Sequence, residues 1–352
     1  MSIDSGERRP LSTEERARLD AIRAAETLAD LLAIVDAGNV EEAYLEAKTV
    51  WKRLRQREMD PPERFETGEG AGLPGDRVDV DGTPYWVHGI THADTDEERS
   101  YCRSHVRAIL ETGGAVYCEQ GIREMYFADV AAVHETDDYR WALARSLSLP
   151  TESRVAAGVD GAEDGRSGTP GGSPVGGEQH EKTVEGGDVP GHKKTGIGVD
   201  LQSLTSQFRE VTFSLIDSGS DVYGDRFARV LGDIASDFLL SHEDLATGED
   251  YEAFRLLRTA STDPSKLPAL QQYYRCAFLP QPLEREWLRR HDPELELFTH
   301  ARSERIAASV LAASDDARTV HVFTGAAHQP GVTYYLERYR DGEWDFRPFE
   351  AV

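Results

Sequence analysis

Residues 77–92 read RVDVDGTPYWVHGITH, and this stretch decides the fold. Two apolar runs flank the turn dipeptide Asp81-Gly82, a pattern that predicts a β-hairpin. The second run leads into Gly89-Ile90-Thr91-His92, and the apolar spacing over 96–111 predicts a helix after it. A histidine placed between the carboxyl end of a strand and a following helix lies where open α/β sheets bind their ligands.

The same layout recurs near the end of the chain, where residues 319–331 read TVHVFTGAAHQPG. A strand over 319–323 leads into Gly325-Ala326-Ala327-His328, and a helix is predicted from about 329 to 338. In both units the glycine is expected to let the chain turn sharply as it leaves the sheet. A helix start also favours a neutral imidazole, which can ligate a metal or accept a hydrogen bond. Either histidine could instead cap backbone groups in its loop.

Glu119 and Arg123 follow the short apolar strand predicted over 115–118. A carboxylate at the end of a buried strand is costly unless it is paired or functional. One interpretation is an ion pair with Arg123 four residues later, should the chain turn helical there. The other makes Glu119 a metal ligand or a general base.

Arg302 lies in the segment ARSERIA, on the same helical face as the apolar Ile306 and Val310. Its side chain is therefore expected to reach the core side of the fold, near the strand ends. There it could bind a carboxylate or stabilise a developing oxyanion. The alternative is an arginine whose stem covers the core while its head reaches water.

The composition restricts the class of protein. The chain has 64 acidic and 39 basic residues, a net charge of −25 and only six lysines, which is typical of a protein adapted to molar salt. Such a charge argues against nucleic-acid binding. Three scattered cysteines argue against a disulfide framework. No run of about 20 apolar residues and no export signal is present, so we expect a cytoplasmic protein without a transmembrane segment.

The pattern along the chain predicts four regions joined by a Pro/Gly/Glu-rich linker over 60–76. Residues 151–198 contain 13 of the 31 glycines and no aromatic residue, which predicts disorder. Further helices are expected at about 137–148, 199–216, 224–241, 249–258, 264–276, 281–290 and 297–313, and a last strand at 343–348. Region 1–60 is a helical hairpin that begins at a capping box of Ser12 and Glu15. Its apolar stripe, which includes Leu32, serves packing or a homodimer. The other regions are 77–150, the first half of the core; 151–198, a disordered Gly-rich insertion; and 199–352, the second half of the core with its helical segment.

These motifs together resemble the TraB/Tiki superfamily, which includes the bacterial pheromone-shutdown proteins. The resemblance rests on the two Gly-x-x-His motifs, on Glu119 and Arg123 in YCEQGIR, and on Arg302, in the same order along the chain. It covers roughly 77–130 and 295–350. It implies a mixed α/β fold whose motifs converge on one site. Tiki members look like metal-dependent proteases, whereas the pheromone-shutdown members are thought to sequester or inactivate small peptides.

We therefore expect an α/β protein with a mixed central sheet flanked by helices, acting as a metal-dependent hydrolase on peptides. His92, His328 and Glu119 would hold one divalent ion (Mn, Co, Fe or Zn), and Arg302 or Arg123 would stabilise the oxyanion. Gly89 and Gly325 are expected to lie against the substrate. Two alternatives remain open: a non-catalytic protein that sequesters peptides in the same pocket, and an interaction scaffold that works through the N-terminal hairpin.

Overall fold

The computed structural model describes residues 10–67, 72–149, 252–291, 293–314 and 317–344. These ranges contain a six-stranded mixed sheet flanked by helices, which confirms the predicted α/β class. The predicted insertion 151–198, the predicted helices at 199–216 and 224–241, and most of the predicted strand at 343–348 lie outside the described residues. The strands are β1 (Glu63–Phe65), β2 (Leu73–Val80), β3 (Thr83–Ile90), β4 (Ala115–Cys118), β5 (Val133–Glu135) and β6 (Val320–Gly325).

The helices of the described ranges follow the apolar spacing of the sequence. No helix in these ranges is both long and apolar enough to cross a membrane. The helix predicted over 297–313 is two helices, because the backbone of Thr299 leaves the helical region. The helices are α1 (Thr13–Ala24), α2 (Leu28–Leu31), α3 (Val40–Glu58), α4 (Asp96–Glu111), α5 (Ile122–Tyr126), α6 (Asp138–Leu147), α7 (Glu252–Thr262), α8 (Leu267–Ala277), α9 (Gln281–His291), α10 (Pro293–Phe298), α11 (His300–Ala313) and α12 (Gln329–Arg340).

The order of strands in the sheet is β1-β2-β3-β6-β4-β5. The first three strands are antiparallel, whereas β3, β6, β4 and β5 run parallel to one another. Ile90 of β3 pairs with Gly325 of β6, and Cys118 of β4 pairs with Phe323 of β6. The carboxyl ends of three neighbouring strands therefore meet at one edge, although more than 200 residues separate β4 from β6.

The predicted hairpin is present, and it begins earlier than the sequence indicates. Asp81 (φ +49°) and Gly82 (φ +87°) form the turn between β2 and β3. However, the predicted linker over 60–76 is wrong in part, because β1 and the first residues of β2 lie within it. Leu73 pairs with Phe65 across these two strands. A three-residue strand is stabilised by its partner, so the composition of the segment does not reveal it.

Side chains alternate between the two faces of the sheet and form two apolar cores. One face packs against α11 and α12 through a cluster that includes Val87, Tyr117 and Val322. The other packs against α4 through a cluster that includes Ile90, Val116 and Phe323. Helices thus cover both faces of the sheet. The strand ends that carry the motifs lie at the edge of the sheet between these two helical layers.

The N-terminal helices share an apolar core with the helices that follow residue 252. Ser12 and Glu15 form the predicted capping box of α1. The apolar stripe of α1–α3 is buried against residues of α8 and α9 such as Leu270 and Trp287, which is the packing role expected for it. Leu32, also counted in that stripe, is instead 39% exposed. The four-region division and the homodimer stay predictions.

Lys48 of α3 and Glu284 of α9 form a buried ion pair between these helical layers. The ammonium lies 2.7 Å from Oε1 of Glu284, whose side chain is fully buried. The same carboxylate accepts hydrogen bonds from the Tyr44 hydroxyl and from the backbone N–H of Leu279. Because the Glu284 side chain is fully buried, its charge is compensated by these protein donors and not by bulk water.

We expect Lys48→Met to lower the free energy of unfolding by about 3 kcal/mol, because removal of one partner leaves a buried charge uncompensated. Urea denaturation monitored by circular dichroism would measure the change. Lys52→Met is the matched control one helical turn later, where the partner Glu252 has a 48% exposed side chain, and should cost less than about 1 kcal/mol. Equal losses in the two variants would contradict the buried-pair interpretation.

His88 of β3 and His321 of β6 stack on neighbouring strands. Their rings lie nearly parallel, with centroids 5.3 Å apart, and Nε2 of His88 lies 3.0 Å from Nδ1 of His321. Nδ1 of His88 contacts the carbonyl of Pro74 at 2.9 Å, so it carries the proton. Burial lowers the pKa of His88 to about 3 and that of His321 to about 2.

This pair makes the fold sensitive to acid. Below the ordinary histidine pKa of 6.5, the unfolded chain binds protons that the folded chain does not, so stability falls as the pH falls. Each histidine contributes a loss of about 1.4 kcal/mol per pH unit. His321→Phe should therefore reduce the loss of unfolding free energy between about pH 6.5 and about pH 5 by roughly 2 kcal/mol. Urea titrations at constant ionic strength would show it, with the exposed His134→Phe as control; equal losses in wild type and His321→Phe would disprove it.

Candidate active site

A small cavity lies at the carboxyl ends of β3, β4 and β6. Its volume is about 110 Å³, and the residues of both sequence motifs contribute to its wall. Leu257 of α7 and Tyr274 of α8 also line it. Of the predicted site residues, the cavity is lined by His92, Glu119, Arg302, Gly325 and His328.

Glu119 is the central group of this site. Its side chain is almost completely buried, and its two carboxylate oxygens have different partners. Oε1 accepts a hydrogen bond from Arg302 at 2.7 Å, and Oε2 accepts one from the backbone N–H of Gly325 at 2.8 Å. Burial alone would raise the pKa of this carboxyl, but the neighbouring His328 and Arg302 hold it well below its usual value. Glu119 is therefore ionised at neutral pH and is a weak proton acceptor.

Arg302 joins Glu119 to a second buried carboxylate, Asp138. Its Nε and Nη2 donate to Oδ2 of Asp138 at 2.9 and 2.6 Å, and Nη2 also donates to Glu119. Asp138 is fully buried at the first residue of α6. One guanidinium thus compensates two carboxylates, and the three groups together carry a net negative charge next to the cavity.

His328 is the N-cap residue of α12, and its side chain contacts Ser303 of α11. Nδ1 of His328 lies 3.0 Å from the Ser303 hydroxyl, while Nε2 lies 3.7 Å from Oε1 of Glu119. The Ser303 hydroxyl donates its proton to the Thr299 carbonyl at 3.4 Å. The hydroxyl oxygen therefore accepts a hydrogen bond from Nδ1 of His328, which carries the ring proton. Burial lowers the pKa of His328 to about 4. The ring is therefore neutral, with the lone pair of Nε2 on the Glu119 side.

His92 reaches the same carboxylate from the other motif. Its Nε2 lies 3.5 Å from Oε2 of Glu119, which is long for a hydrogen bond, and it has no hydrogen-bond partner among the described residues. Burial would lower the pKa of His92, but the Glu119 carboxylate outweighs that effect and raises it. The two motifs, alike in sequence, thus place histidines with different proton affinities around one acid.

The two motif glycines differ from the expected role. Neither has a positive φ; the left-handed backbone of the first motif belongs to His92 itself (φ +62°). A Cβ on Gly89 would lie 2.4 Å from Oε1 of Gln329, so this glycine allows close packing and does not line the cavity. Gly325 does line it, because a Cβ there would lie 3.3 Å from Nε2 of His92.

Arg123 does not reach the site. Gly121, with φ +99°, turns the chain after β4, and α5 begins only at Ile122, so Glu119 and Arg123 do not share a helix. Glu119 pairs with Arg302 in place of Arg123, and Arg123 does not line the cavity. The expected i, i+4 pair with Glu119 is therefore wrong, whereas the oxyanion role of Arg123 stays a prediction that no contact among the described residues supports.

Two residues of the site, Asp138 and Ser303, are not among the candidates that the sequence predicts. Asp138 follows Asp137 at a helix start, where an acidic residue is expected for capping, so its burial under Arg302 gives no local signal. Ser303 directly follows Arg302, on a neighbouring face of the helix. The sequence offers one signal for Ser303, its position next to the selected Arg302, and none for Asp138.

The chain matches no protein-family model, no curated protein and no solved structure. The resemblance to the TraB/Tiki superfamily therefore rests on the order and spacing of the motifs alone.

The donor set fits a divalent ion, although the side chains are not closed around one. Among the described residues no group of three or more His, Cys, Asp or Glu side chains is arranged to hold a metal ion. In a tetrahedral site with bonds of about 2.0–2.1 Å, ligand atoms lie about 3.3–3.4 Å apart. The imidazole nitrogens lie 3.5 and 3.7 Å from the Glu119 oxygens, within a few tenths of that spacing. The buried Nε2 of His92, which has no hydrogen-bond partner there, also fits a ligand role.

We expect Arg302→Met to lower the free energy of unfolding by about 3 kcal/mol or more, because it leaves Asp138 and Glu119 buried without their cation. Arg305→Met is the matched control on the next turn of α11. Arg305 pairs with Asp137, whose side chain is 57% exposed, and its loss should cost about 1 kcal/mol or less. Chemical denaturation in high salt measures both, and a similar small loss for the two variants would disprove the role given to Arg302.

Proposed function

We propose that this protein is a TraB/Tiki-like metal-dependent hydrolase that acts on peptides, with His92, His328 and Glu119 as metal ligands. One observation carries the proposal: the Nε2 atoms of both motif histidines face opposite oxygens of a single buried carboxylate, at 3.5 and 3.7 Å. The net negative charge around this carboxylate favours a cation in the cavity. A bound divalent ion of the Mn, Co, Fe or Zn type would supply Lewis-acid polarisation and an activated water.

The protein residues contribute three things to such a reaction. Ser303 fixes the tautomer of His328 and so keeps a lone pair of Nε2 available. Arg302 holds Glu119 ionised and in place, and its guanidinium lies in the cavity wall, where it can donate to a developing oxyanion. Leu257 and the ring of Tyr274 add apolar surface to the cavity wall.

A second candidate is the sequestration of peptides without turnover. The cavity of about 110 Å³ is small for either function, because small-molecule sites typically have roughly 300–1,000 Å³. Only one small group of a peptide would enter. The ionised Glu119 is also a poor general base. Turnover separates the two functions, because both use the same residues.

The composition adds a cellular context to the proposal. A net charge of −25 with six lysines suits the cytoplasm of a high-salt cell, so the assays belong in molar salt. The homodimer through α1 and α3 and the lack of nucleic-acid binding are further parts of this proposal, testable by light scattering and by binding assays in the same buffer.

We expect the purified protein to bind one divalent ion, and His92→Ala, Glu119→Ala and His328→Ala each to weaken this binding by more than 100-fold, because each removes one of three ligands. Isothermal titration with Zn²⁺ and Mn²⁺ measures the affinity, and a fluorogenic peptide library measures metal-dependent cleavage.

The control variant is His134→Ala, an exposed histidine of β5, which should bind the metal as the wild type does. Cleavage that depends on added metal and is lost in the three ligand variants would support the hydrolase. Metal and peptide binding without cleavage would support sequestration. If the wild type binds no divalent ion, or if the three variants bind as well as His134→Ala, the proposed metal centre is wrong.

A further inference from the structure

The loop that carries His92 has an unusual backbone. His92 (φ +62°) and Asp94 (φ +50°) both lie in the left-handed region. Among the described non-glycine residues, only Asp81 in the β2–β3 turn shares this property. A left-handed conformation is disfavoured for a residue with a side chain, so the surrounding structure must hold both positions.

Glu98 of α4 holds the residue that precedes His92. Its side chain is fully buried, and its carboxylate accepts the backbone N–H of Thr91 at 2.7 Å and the Thr91 hydroxyl at 2.6 Å. The Thr91 hydroxyl oxygen in turn accepts the backbone N–H of Ala93 at 3.2 Å. Both residues adjacent to His92 are thereby tied to one buried acid.

Tyr126 of α5 completes the network from the other side. Its fully buried hydroxyl donates to Oε2 of Glu98 at 2.6 Å and accepts the backbone N–H of Asp94 at 2.9 Å. The ring packs in the same apolar cluster as Val106 and Phe323, so it cannot move without disturbing the core. The backbone N–H groups of Thr91 and Asp94, on either side of His92, are thus bound by this acid and this phenol.

Neither Glu98 nor Tyr126 lines the cavity at the strand ends. The loop decides where Nε2 of His92 lies relative to Glu119, and Tyr126 contacts the loop through the N–H of Asp94. Glu98 holds the loop as well, and its negative charge also raises the pKa of His92 directly. By contrast, His328 lies at the start of a helix, and its Nδ1 is 3.0 Å from the Ser303 hydroxyl.

We propose that Glu98 and Tyr126 are positioning residues: by fixing the left-handed loop they direct His92 toward Glu119 and so set the affinity of the site for a divalent ion. This inference rests on the proposed metal centre. It concerns residues outside that centre, which neither the motifs nor the spacing of the sequence indicates.

The test compares Tyr126→Phe with the wild type, using Co²⁺ alone as the probe. The variant removes one oxygen atom and leaves the ring in the core. We expect about a 10- to 100-fold weaker Co²⁺ affinity, the effect typical of the loss of a group that orients a ligand, together with an altered visible absorption spectrum of the bound Co²⁺. Tyr101→Phe is the matched control, because the Tyr101 hydroxyl donates to Gly72 away from the site, and it should leave affinity and spectrum unchanged.

A second pair of variants tests the acid. Glu98→Gln keeps an oxygen that can accept the N–H of Thr91, whereas Glu98→Ala keeps none. We expect the Co²⁺ affinity of Glu98→Gln to lie between those of wild type and Glu98→Ala. Thermal unfolding should show that both variants are folded at the assay temperature. The order of the Co²⁺ affinities then reflects the loss of the contact with Thr91 and not a general loss of stability.

Hydrogen exchange of the metal-free protein separates this inference from the proposed function. The amide of Asp94 should exchange slowly in the wild type and at least 10-fold faster in Tyr126→Phe, with the amides of β4 unchanged. If the wild type binds no Co²⁺ but the exchange behaves as expected, the proposed metal centre is wrong while the loop is held as described. Unchanged exchange at Asp94, or unchanged Co²⁺ affinity and spectrum in Tyr126→Phe, would overturn the inference.

Discussion

The ion network of Glu119, Arg302 and Asp138 is the constraint on which the site depends. Glu119 stands at the end of a central strand, out of contact with bulk water, and a carboxylate in that place is tolerated only if it is compensated. Arg302 reaches it from α11, and the same guanidinium binds Asp138 at the start of α6. The N–H of Gly325 at the end of β6 provides the remaining donor. Three separate elements of the fold thus converge on one charged group, and any shift in one of them would expose an unpaired charge.

The two histidine motifs are alike in sequence but built by different means. His328 begins a helix and has its tautomer set by Ser303, so its pKa of about 4 keeps it neutral. His92 lies in a left-handed loop beside Glu119, which raises its pKa. The same acid is thus approached by one imidazole at a helix start and by one on a loop that Glu98 and Tyr126 hold.

Much of the fold could be predicted because local patterns specify it. The Asp81-Gly82 turn, the capping box at Ser12 and the spacing of apolar residues in α4 each depend on neighbours along the chain. The strand β1 was missed because three residues of mixed character acquire strand geometry only through pairing with β2. The choice of Arg123 as a partner of Glu119 failed for a related reason: helical spacing was assumed across a turn made by Gly121.

By itself, the sequence determined the α/β class, most of the helices and strands, and the candidate residues His92, Glu119, Arg302 and His328. Each of these follows from periodicity, turn chemistry or the cost of a buried charge, which act over a few residues. Only the tertiary structure decided that Arg302 and not Arg123 compensates Glu119, a contact across 183 positions of the chain. It also decided that Gly89 serves packing and that His92 carries the left-handed turn. Burial and ion pairing depend on which elements are neighbours in space. The parallel register of β3, β6 and β4 brings their carboxyl ends together and so determines these neighbours.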